Sequence, residues 1–329
     1  MENFLMKLTL QEIRRITFGV VSVEENLGTF SFHRFTKEQT EAYARRNIDH
    51  FNKTFATAGV RFSFYTNASR MCFDYRLTPG SSRMFGWFDV YEDGVMTSHF
   101  GGEGKLFTSG HADIRLGSGE KRVEIYFPWS KVAFLSDIEL DGALISTCKR
   151  SRTMLNFGDS ITHGYDAIYP SLTYASLIAH ELDADSVNKG IGGEIFFPEL
   201  SALPDPVRPD IITAAYGTND WNICAKDHLT SGCLSFYTNL CRTYPAAKIF
   251  AITPIWRADG DKETKYAAPH SALYETMREL LSDLPVTVIN GYTLTPHTTE
   301  FYSDAYLHPN NLGFSVYARE LTKQIKKHL

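Results

Sequence analysis

The stretch TMLNFGDSITHGYD (residues 153–166) joins an apolar run of strand length to a glycine, a serine and several polar residues. The apolar run predicts a buried strand. Gly158 permits a tight exit from that strand, and Ser160 opens the following helical turn. Further apolar runs, DIITAAY, KIFAI and VTVIN, alternate with helical patterns toward the C-terminus. This alternation predicts a parallel sheet with helices on both faces.

The helical patterns of this half fall between the apolar runs. Their approximate bounds are 171–182, 228–242, 269–282 and 311–328. In an open parallel sheet, ligands gather beyond the C-terminal ends of the strands. The residues that follow each strand are therefore the first candidates for a functional site.

The residues before this half follow a different pattern, with apolar side chains at every second position. Val60, Phe62 and Phe64 fall on one face of VRFSFY, and the Asp93–Gly94 pair after WFDVYE is a strong hairpin signal. Only the stretch 37–50 has a helical pattern. Short strands separated by turns predict an antiparallel β-sandwich of jelly-roll type.

The change of pattern predicts two domains. We expect a jelly-roll-like β-sandwich as an accessory domain at residues 1–150 and an α/β domain at residues 151–329. A chain of 329 residues is long for a single core. The basic link CKRSR (residues 148–152) lies where the pattern changes and is a plausible boundary.

The composition excludes several classes of function. Hydrophobic residues make up 43% of the chain, charged residues 22%, and the net charge is −5. A basic face for nucleic acid is missing from the sequence, and no segment approaches the roughly 20 apolar residues of a membrane helix. The N-terminus shows no export signal, so we expect a cytoplasmic protein. Cysteines and histidines lack metal-ligand spacing, so neither a metal nor another cofactor is expected.

Two motifs in the α/β half combine glycines with a reactive or donor group. Ser160 in NFGDSITHGYD presents its hydroxyl, and its own N–H, at the end of a strand. In VNKGIGGEIF, the glycines at 190, 192 and 193 form a turn whose N–H groups can point into the site. An N-cap serine and a plain turn are the alternative interpretations.

Two further motifs supply a neutral donor and a base. Asn219 in AAYGTNDW carries an amide that can donate to an oxyanion; the alternative is an Asx turn. His308 in SDAYLHPNNLGF can take the proton of Ser160, with Asp304 on its other ring nitrogen. A surface histidine near a helix cap is the alternative. Because the four motifs follow in order, one per strand end, we interpret them together as a hydrolase site.

These four motifs resemble the conserved blocks of the SGNH (GDSL-like) hydrolases. The resemblance covers residues 153–329 and implies a flavodoxin-like parallel sheet with a serine esterase site. It implies Ser160 as nucleophile, His308 as base, and an oxyanion hole formed by Ser160, Gly193 and Asn219. Gly193 is chosen because it closes the N-x-x-x-x-G pattern that begins at Asn188.

The sequence departs from the family at its acid. The family usually has D-x-x-H, but Ala305 stands three residues before His308, and Asp304 stands four before it. Either the turn holds one extra residue and Asp304 still reaches the imidazole, or the site is a Ser–His dyad oriented by a backbone carbonyl. We favour Asp304.

A β-sandwich followed by an SGNH domain also resembles two-domain carbohydrate acetylesterases. That resemblance implies hydrolysis of small acyl esters, acetyl above all, on carbohydrates, with a small-molecule or oligosaccharide ester as the partner. Trp221, Trp256, Tyr165 and Asp166 are candidate substrate-binding residues. The alternative for both tryptophans is a plug at the rim of the domain. The sandwich is a candidate for carbohydrate binding, for a wall of the pocket or for homo-oligomer contacts.

Three rival functions stay open at this point. The chain can be a thioesterase or lysophospholipase of the same superfamily, an acyltransferase, or a carbohydrate-binding protein on an inactive hydrolase scaffold. Polar residues after GTND argue against a long acyl groove, and the competent residues in all four motifs argue against an inactive scaffold.

Overall fold

The strands before residue 148 pair antiparallel in the computed structural model, which describes residues 5–104 and 108–329. Within the described ranges they form two six-stranded sheets. Their bounds are β1 Met6–Lys7, β2 Thr17–Phe18, β3 Ser22–Asn26, β4 Thr29–His33, β5 Arg61–Thr66, β6 Arg70–Pro79, β7 Phe85–Glu92, β8 Val95–Glu103, β9 Thr108–Arg115, β10 Lys121–Tyr126, β11 Lys131–Leu140 and β12 Leu144–Thr147.

These strands are ordered in two antiparallel sheets. One sheet runs β3-β4-β11-β6-β9, with β1 also paired to β11, and the other runs β12-β5-β10-β7-β8, with β2 also paired to β5. Side chains from both sheets, Phe62, Phe64 and Phe73 among them, share one buried apolar cluster. The alternating pattern therefore predicted this sandwich correctly.

The parallel sheet begins at Arg152, after the last antiparallel strand. Its strands are β13 Arg152–Gly158, β14 Ala184–Gly190, β15 Ile211–Ala215, β16 Lys248–Ile252 and β17 Val286–Ile289. The spatial order is β14-β13-β15-β16-β17, which is the 2-1-3-4-5 order of flavodoxin-like sheets. The predicted α/β fold is confirmed.

Helices cover both faces of the parallel sheet. Adjacent residues of β13 point to opposite sides: Leu155 joins one buried cluster and Met154 joins another. The helices are α1 Leu10–Ile16, α2 Lys37–Arg46, α3 Ile48–Lys53, α4 Ser160–His163, α5 Tyr174–Glu181, α6 Pro198–Ala202, α7 Thr218–Ile223, α8 Lys226–Thr243, α9 Leu273–Leu280 and α10 Asn311–Lys326. Short 3-10 turns lie at Pro170–Leu172, His270–Ala272, Gly291–Thr293 and Thr299–Phe301.

The helices of the first half differ from the prediction. The helix expected over 37–50 is two helices, because Asn47 ends α2 and caps α3 by accepting the N–H groups of Asp49 and His50. Helix α1 was not predicted at all. Thr9 and Glu12 form a capping box at its start, a T-x-x-E signal that the strand pattern of this half obscured.

The two halves share a polar interface. Arg61 of β5 is almost fully buried and lies 2.5 Å from Asp185 of β14. On this face of β5, Arg61 and Ser63 are buried, whereas Tyr65 further along the strand is exposed. Among the described residues, no helix is long and apolar enough to cross a membrane.

Candidate active site

The predicted motifs meet at one edge of the parallel sheet. In the strand register, Gly158 at the end of β13 stands beside Gly190 of β14 and Ala215 of β15. The loops after the three strands therefore start at the same level. A side chain at Gly158 would place its Cβ 2.0 Å from the Thr162 hydroxyl, so only glycine allows the chain to turn into α4 here.

Ser160, His308 and Asp304 form an unbroken hydrogen-bonded chain. Ser160 Oγ lies 2.9 Å from His308 Nε2, and His308 Nδ1 lies 2.7 Å from Asp304 Oδ2. Ser160 is the first residue of α4, and the carboxylate of Asp159 caps that helix by accepting the Ile161 N–H. This geometry allows proton transfer from the serine hydroxyl to the imidazole.

The turn before His308 explains how an acid four residues back reaches the imidazole. Ala305 adopts a left-handed conformation with φ of +63°, which accommodates the additional residue. The second oxygen of Asp304 accepts the backbone N–H groups of Tyr306, Leu307 and His308. The geometry thus provides the hydrogen bond of a triad.

The same contacts keep Asp304 ionised. Burial raises the pKa of this carboxyl, but the hydrogen bonds from the His308 ring and from the three backbone N–H groups outweigh burial. Together they hold the pKa of Asp304 well below its usual range. An ionised acid beside Nδ1 orients the ring and stabilises an imidazolium.

The glycine loop packs closely on the helix that carries Ser160. A Cβ at Gly190 would lie 2.3 Å from the backbone nitrogen of His163, and one at Gly192 would lie 2.2 Å from the Tyr165 hydroxyl. Gly193 follows with φ of +86°, which also favours glycine. The close approach explains why three glycines occur in four residues.

Asn219 lies in the first turn of α7 and ties this helix to the glycine loop. Its amide nitrogen donates to the backbone oxygen of Glu194, the residue after Gly193, at 2.9 Å. An amide group carries two hydrogens. One is used in this contact, so the other is free for a ligand.

His163, three residues after Ser160, is a structural residue that its motif did not reveal. Its Nδ1 accepts the Gly192 N–H, and its Nε2 lies 3.2 Å from the Trp129 carbonyl oxygen of the sandwich. Complete burial lowers the pKa of His163 well below its usual value. A neutral imidazole therefore joins the glycine loop to the sandwich.

The predicted substrate-binding residues have different environments. Tyr165 is 4% exposed and stacks on the His308 ring at 5.6 Å, and Asp166 lies 3.8 Å from His308 Nδ1.

Trp221 is fully buried, and its indole N–H donates to the Ala268 carbonyl. The stacking role predicted for Trp221 is therefore wrong in this structure: the ring is a core residue and offers no face to a sugar. Trp256 is half-buried against Tyr302.

The N-terminal half contributes residues that the sequence analysis missed. Arg83, in the loop between β6 and β7, forms an ion pair of 2.5 Å with Asp166. His50 of α3 faces Gly193, since a Cβ there would lie 3.6 Å from His50 Nε2. No periodic pattern marks these positions, because both depend on contacts between domains.

A second group of charged residues lies behind the glycine loop. Glu194 is completely buried, with Arg46 at 2.7 Å from one carboxylate oxygen and His50 Nδ1 at 3.5 Å from the other. The Arg46 guanidinium also lies over the Phe197 ring. We call Arg46, His50 and Glu194 the Glu194 cluster.

A metal site was not expected from the sequence, and one group of residues has the right atoms for one. Asp166, Asp304 and His308 bring three ligand atoms within 4.8 Å of one another. Each of these atoms already has a partner, however. Arg83 neutralises Asp166, and Asp304 and His308 bond to each other. The donor set therefore fits a hydrogen-bonded acid–base pair better than a cation.

Residues 157–316 match the GDSL-like Lipase/Acylhydrolase family. This match lies within the α/β half and agrees with the family that the motifs implied, and the chain is a carboxylic ester hydrolase. No curated protein sequence matches the chain significantly.

Several solved structures share the complete architecture at low identity. The salicylyl-acyltransferase SsfX3 from a tetracycline biosynthetic pathway aligns with a TM-score of 0.83 and 19% identity, covering 100% of this chain and 98% of that one. A family two carbohydrate esterase from Cellvibrio japonicus aligns with a TM-score of 0.70 and 20% identity, covering 98% of both chains. The acetyl xylan esterase Est2A from Butyrivibrio proteoclasticus aligns with a TM-score of 0.59 and 18% identity, covering 82% of this chain and 89% of that one. At these identities the likeness establishes the fold.

Proposed function

We propose that the chain is a serine esterase that removes small acyl groups, acetyl above all, from carbohydrate esters. The observation that carries this proposal is the hydrogen-bonded chain from Ser160 through His308 to Asp304. The similarity in fold to a carbohydrate esterase and an acetyl xylan esterase supports the substrate class.

The geometry supports acyl transfer in two stages. His308 Nε2 takes the proton as Ser160 Oγ attacks the ester carbonyl carbon. When the tetrahedral intermediate collapses, its carbon–oxygen bond to the alcohol breaks and His308 returns the proton to the alcohol. Water, deprotonated by His308, then attacks the acyl-enzyme and releases the carboxylic acid and Ser160.

The oxyanion would receive three neutral donors. These are the N–H groups of Ser160 and Gly193 and the second amide hydrogen of Asn219. Removing one such donor from a serine hydrolase costs about 10²–10³ in rate. The bond between Asn219 and Glu194 holds the amide in place before substrate arrives.

A cavity near the glycine loop, lined by both apolar and polar residues, supports a sugar as the leaving alcohol. It has a volume of about 490 Å³, and its lining includes Asn52, Lys53, Ser81 and Ser82 of the N-terminal half. Lys53 also binds the Gly192 carbonyl, which places the cavity next to the glycine loop. Hydroxyl, amide and ammonium groups of this kind can bond the hydroxyls of a carbohydrate.

The decisive experiment compares wild type with Ser160→Ala on p-nitrophenyl acetate, butyrate and octanoate, and on acetylated xylo-oligosaccharides. We expect Ser160→Ala to lose at least about 10⁴-fold in kcat, and wild-type activity to fall as the acyl chain lengthens. Ser231→Ala, on the exposed side of α8, is the matched control and should retain full activity. Octanoate turned over faster than acetate would favour the thioesterase or lysophospholipase alternative.

Acyl transfer to an alcohol is a second candidate, favoured by the full-length similarity to a salicylyl-acyltransferase. The same acyl-enzyme can be attacked by a hydroxyl group instead of water. Adding a sugar acceptor to the acetate assay distinguishes the two. An acetylated acceptor formed at the expense of free acetate would identify a transferase.

A further inference from the structure

The loop between β6 and β7 places a charged side chain of the sandwich close to the imidazole of the proposed base. Arg83 Nε lies 2.5 Å from Asp166 Oδ1, and a terminal nitrogen lies 3.2 Å from Oδ2. Bidentate pairing of this kind fixes direction as well as distance. Asp166 in turn lies 3.8 Å from His308 Nδ1. The guanidinium therefore acts on the imidazole through one intervening carboxylate.

The same loop also fixes the ring that covers His308. Tyr165 stacks on the imidazole with an interplanar angle of 30°, and the Arg83 guanidinium lies 5.0 Å from the Tyr165 ring centre. Ser82 donates a hydrogen bond of 3.3 Å to the Tyr165 hydroxyl. His308 cannot tilt toward this side without moving a tyrosine that two residues of the sandwich hold.

The backbone at Asp166 has an unusual conformation. Its φ is +71°, in the left-handed region that aspartate tolerates better than most residues. Non-glycine residues in this region persist where the surroundings hold them there. Here the conformation presents one carboxylate to both Arg83 and His308.

The charges around His308 need a balancing cation. Asp304 bonds to Nδ1 from the same turn, Asp166 approaches from the α4 side, and the buried Asp159 also interacts with the His308 charge. Without a cation, a second carboxylate would stabilise the protonated imidazole, so that less of the unprotonated base would be present at a given pH. Arg83 is the cation that pairs with Asp166.

We propose that the ion pair between Arg83 and Asp166 is a positioning device supplied by the N-terminal domain. It holds the His308 ring against Ser160 and neutralises the second carboxylate beside it. The inference rests on the proposed function, because it assumes that His308 is the base of the esterase.

The first test measures p-nitrophenyl acetate hydrolysis against pH for Arg83→Gln, Arg83→Lys and Asp166→Asn. Arg83→Gln should lower kcat about tenfold and change KM less than about threefold, since positioning is lost while the binding surface remains. The acid limb of its pH–activity profile should move to higher pH by about 0.5–1 unit, because no cation then neutralises Asp166. Asp166→Asn leaves Arg83 unopposed, so its acid limb should move to lower pH. Arg83→Lys should restore the acid limb and part of kcat.

Arg70→Gln is the matched control. Arg70 also binds an aspartate, Asp113, through two nitrogens at 2.7 and 3.0 Å, but both residues lie in the sandwich sheet. Its pH profile should equal that of wild type. Urea unfolding of each variant separates lost activity from lost stability.

A second measurement needs no turnover. In the Ser160→Ala background, the His308 imidazole is titrated by NMR with each substitution. The pH at the midpoint of the His308 titration should rise in Arg83→Gln and fall in Asp166→Asn. Midpoints that stay unchanged, or that move in the same direction, overturn the inference even if the chain proves not to be an esterase. Conversely, unchanged kcat and pH profiles in the Arg83 and Asp166 variants, with Ser160→Ala inactive, overturn the inference and leave the proposed function standing.

Discussion

The N-terminal half reaches the candidate site at two places that are built differently. At the Glu194 cluster the carboxylate is completely buried, and the Arg46 and His50 side chains are 26% and 11% exposed. At the second place, Arg83 is 31% exposed and its partner Asp166 is 10% exposed. The first place lies behind the glycine loop, and the second lies beside His308, the proposed base.

This difference indicates two kinds of contribution from the N-terminal half. A buried carboxylate that loses its cation is costly, so the Glu194 cluster should act mainly on stability. A charge pair beside a proton-transferring imidazole should act mainly on rate. Substitutions at four positions test this difference, with the largest effect expected at Asp304 and smaller ones at Arg46, Asp220 and His50.

The largest effect is expected at Asp304, which shares His308 with Asp166. Asp304→Ala should lower kcat by about 10²–10⁴-fold, because the imidazole loses its orienting carboxylate. Asp304→Asn keeps an oxygen for the backbone N–H groups of the turn and should be similarly inactive but more stable. Adding Asp166→Ala to Asp304→Ala should cost about another tenfold. A loss below about tenfold in Asp304→Ala would favour the Ser–His dyad. Steady-state hydrolysis of p-nitrophenyl acetate measures all three.

The next effect concerns Arg46, the cation of the Glu194 cluster. Arg46→Met should lower the free energy of unfolding by about 3 kcal/mol, because Glu194 is left buried without a full positive charge. Its kcat should change less than about threefold. The neighbouring Arg45, paired with Glu199 on the surface, provides the control: Arg45→Met should cost less than about 1 kcal/mol. A large loss of kcat at unchanged stability in Arg46→Met would contradict the comparison. Urea unfolding followed by circular dichroism measures both variants.

A smaller, pH-dependent effect is expected at Asp220, which lies behind the same loop. Its carboxylate accepts the Phe196 N–H, and burial raises its pKa to about 7. The unfolded chain releases this proton near pH 4, whereas the folded chain keeps it until about pH 7. The free energy of unfolding therefore falls as pH rises through this window.

Asp220→Asn should remove this fall in the free energy of unfolding with rising pH, because an amide does not titrate. The difference in free energy of unfolding between the variant and wild type should rise by about 2–3 kcal/mol from pH 4 to pH 8. Asp227→Asn, at an exposed position of α8, should show a constant difference. A constant difference for Asp220→Asn as well would show that this carboxyl titrates normally in the folded protein. Urea unfolding of wild type and both variants at several pH values measures these differences.

The smallest effect is expected at His50, whose Nε2 faces Gly193. His50→Gln should raise KM about threefold and leave kcat within about twofold, as expected for a contact made equally in the ground and transition states. His111→Gln, which disrupts a surface imidazole–carboxylate pair with Asp74, is the control. A fall in kcat beyond about tenfold would show that His50 takes part in the chemical step.

The strands of the sandwich and of the parallel sheet could be predicted because their residue patterns are local. The apolar runs of β13, β15, β16 and β17 and the alternation in β5 follow from burial on two faces or one. The helices of the first half were predicted less well. Helix α1 is only seven residues long and is recognisable chiefly by its capping box.

The residues that the structure brings together at the site were predicted from short motifs, although Ser160 and His308 are 148 positions apart. Parallel strands place their C-terminal ends at one edge, so motifs at strand ends come together whatever their separation. Trp221 follows a motif too, but its orientation depends on packing against Arg257 and Ala268, which no local pattern reveals.

The sequence by itself determined the antiparallel sandwich and the parallel sheet, the edge at which the site lies, and the nucleophile, base and acid that are proposed there. The period of apolar residues and the residues at strand ends encode these features locally. Only the tertiary structure decided that Ala305 turns left-handed so that Asp304 reaches His308, that Trp221 is core, and that Arg83 and His50 of the N-terminal half approach the same site. These features arise from contacts between distant segments, whose distances and burial exist only once the two halves are packed together.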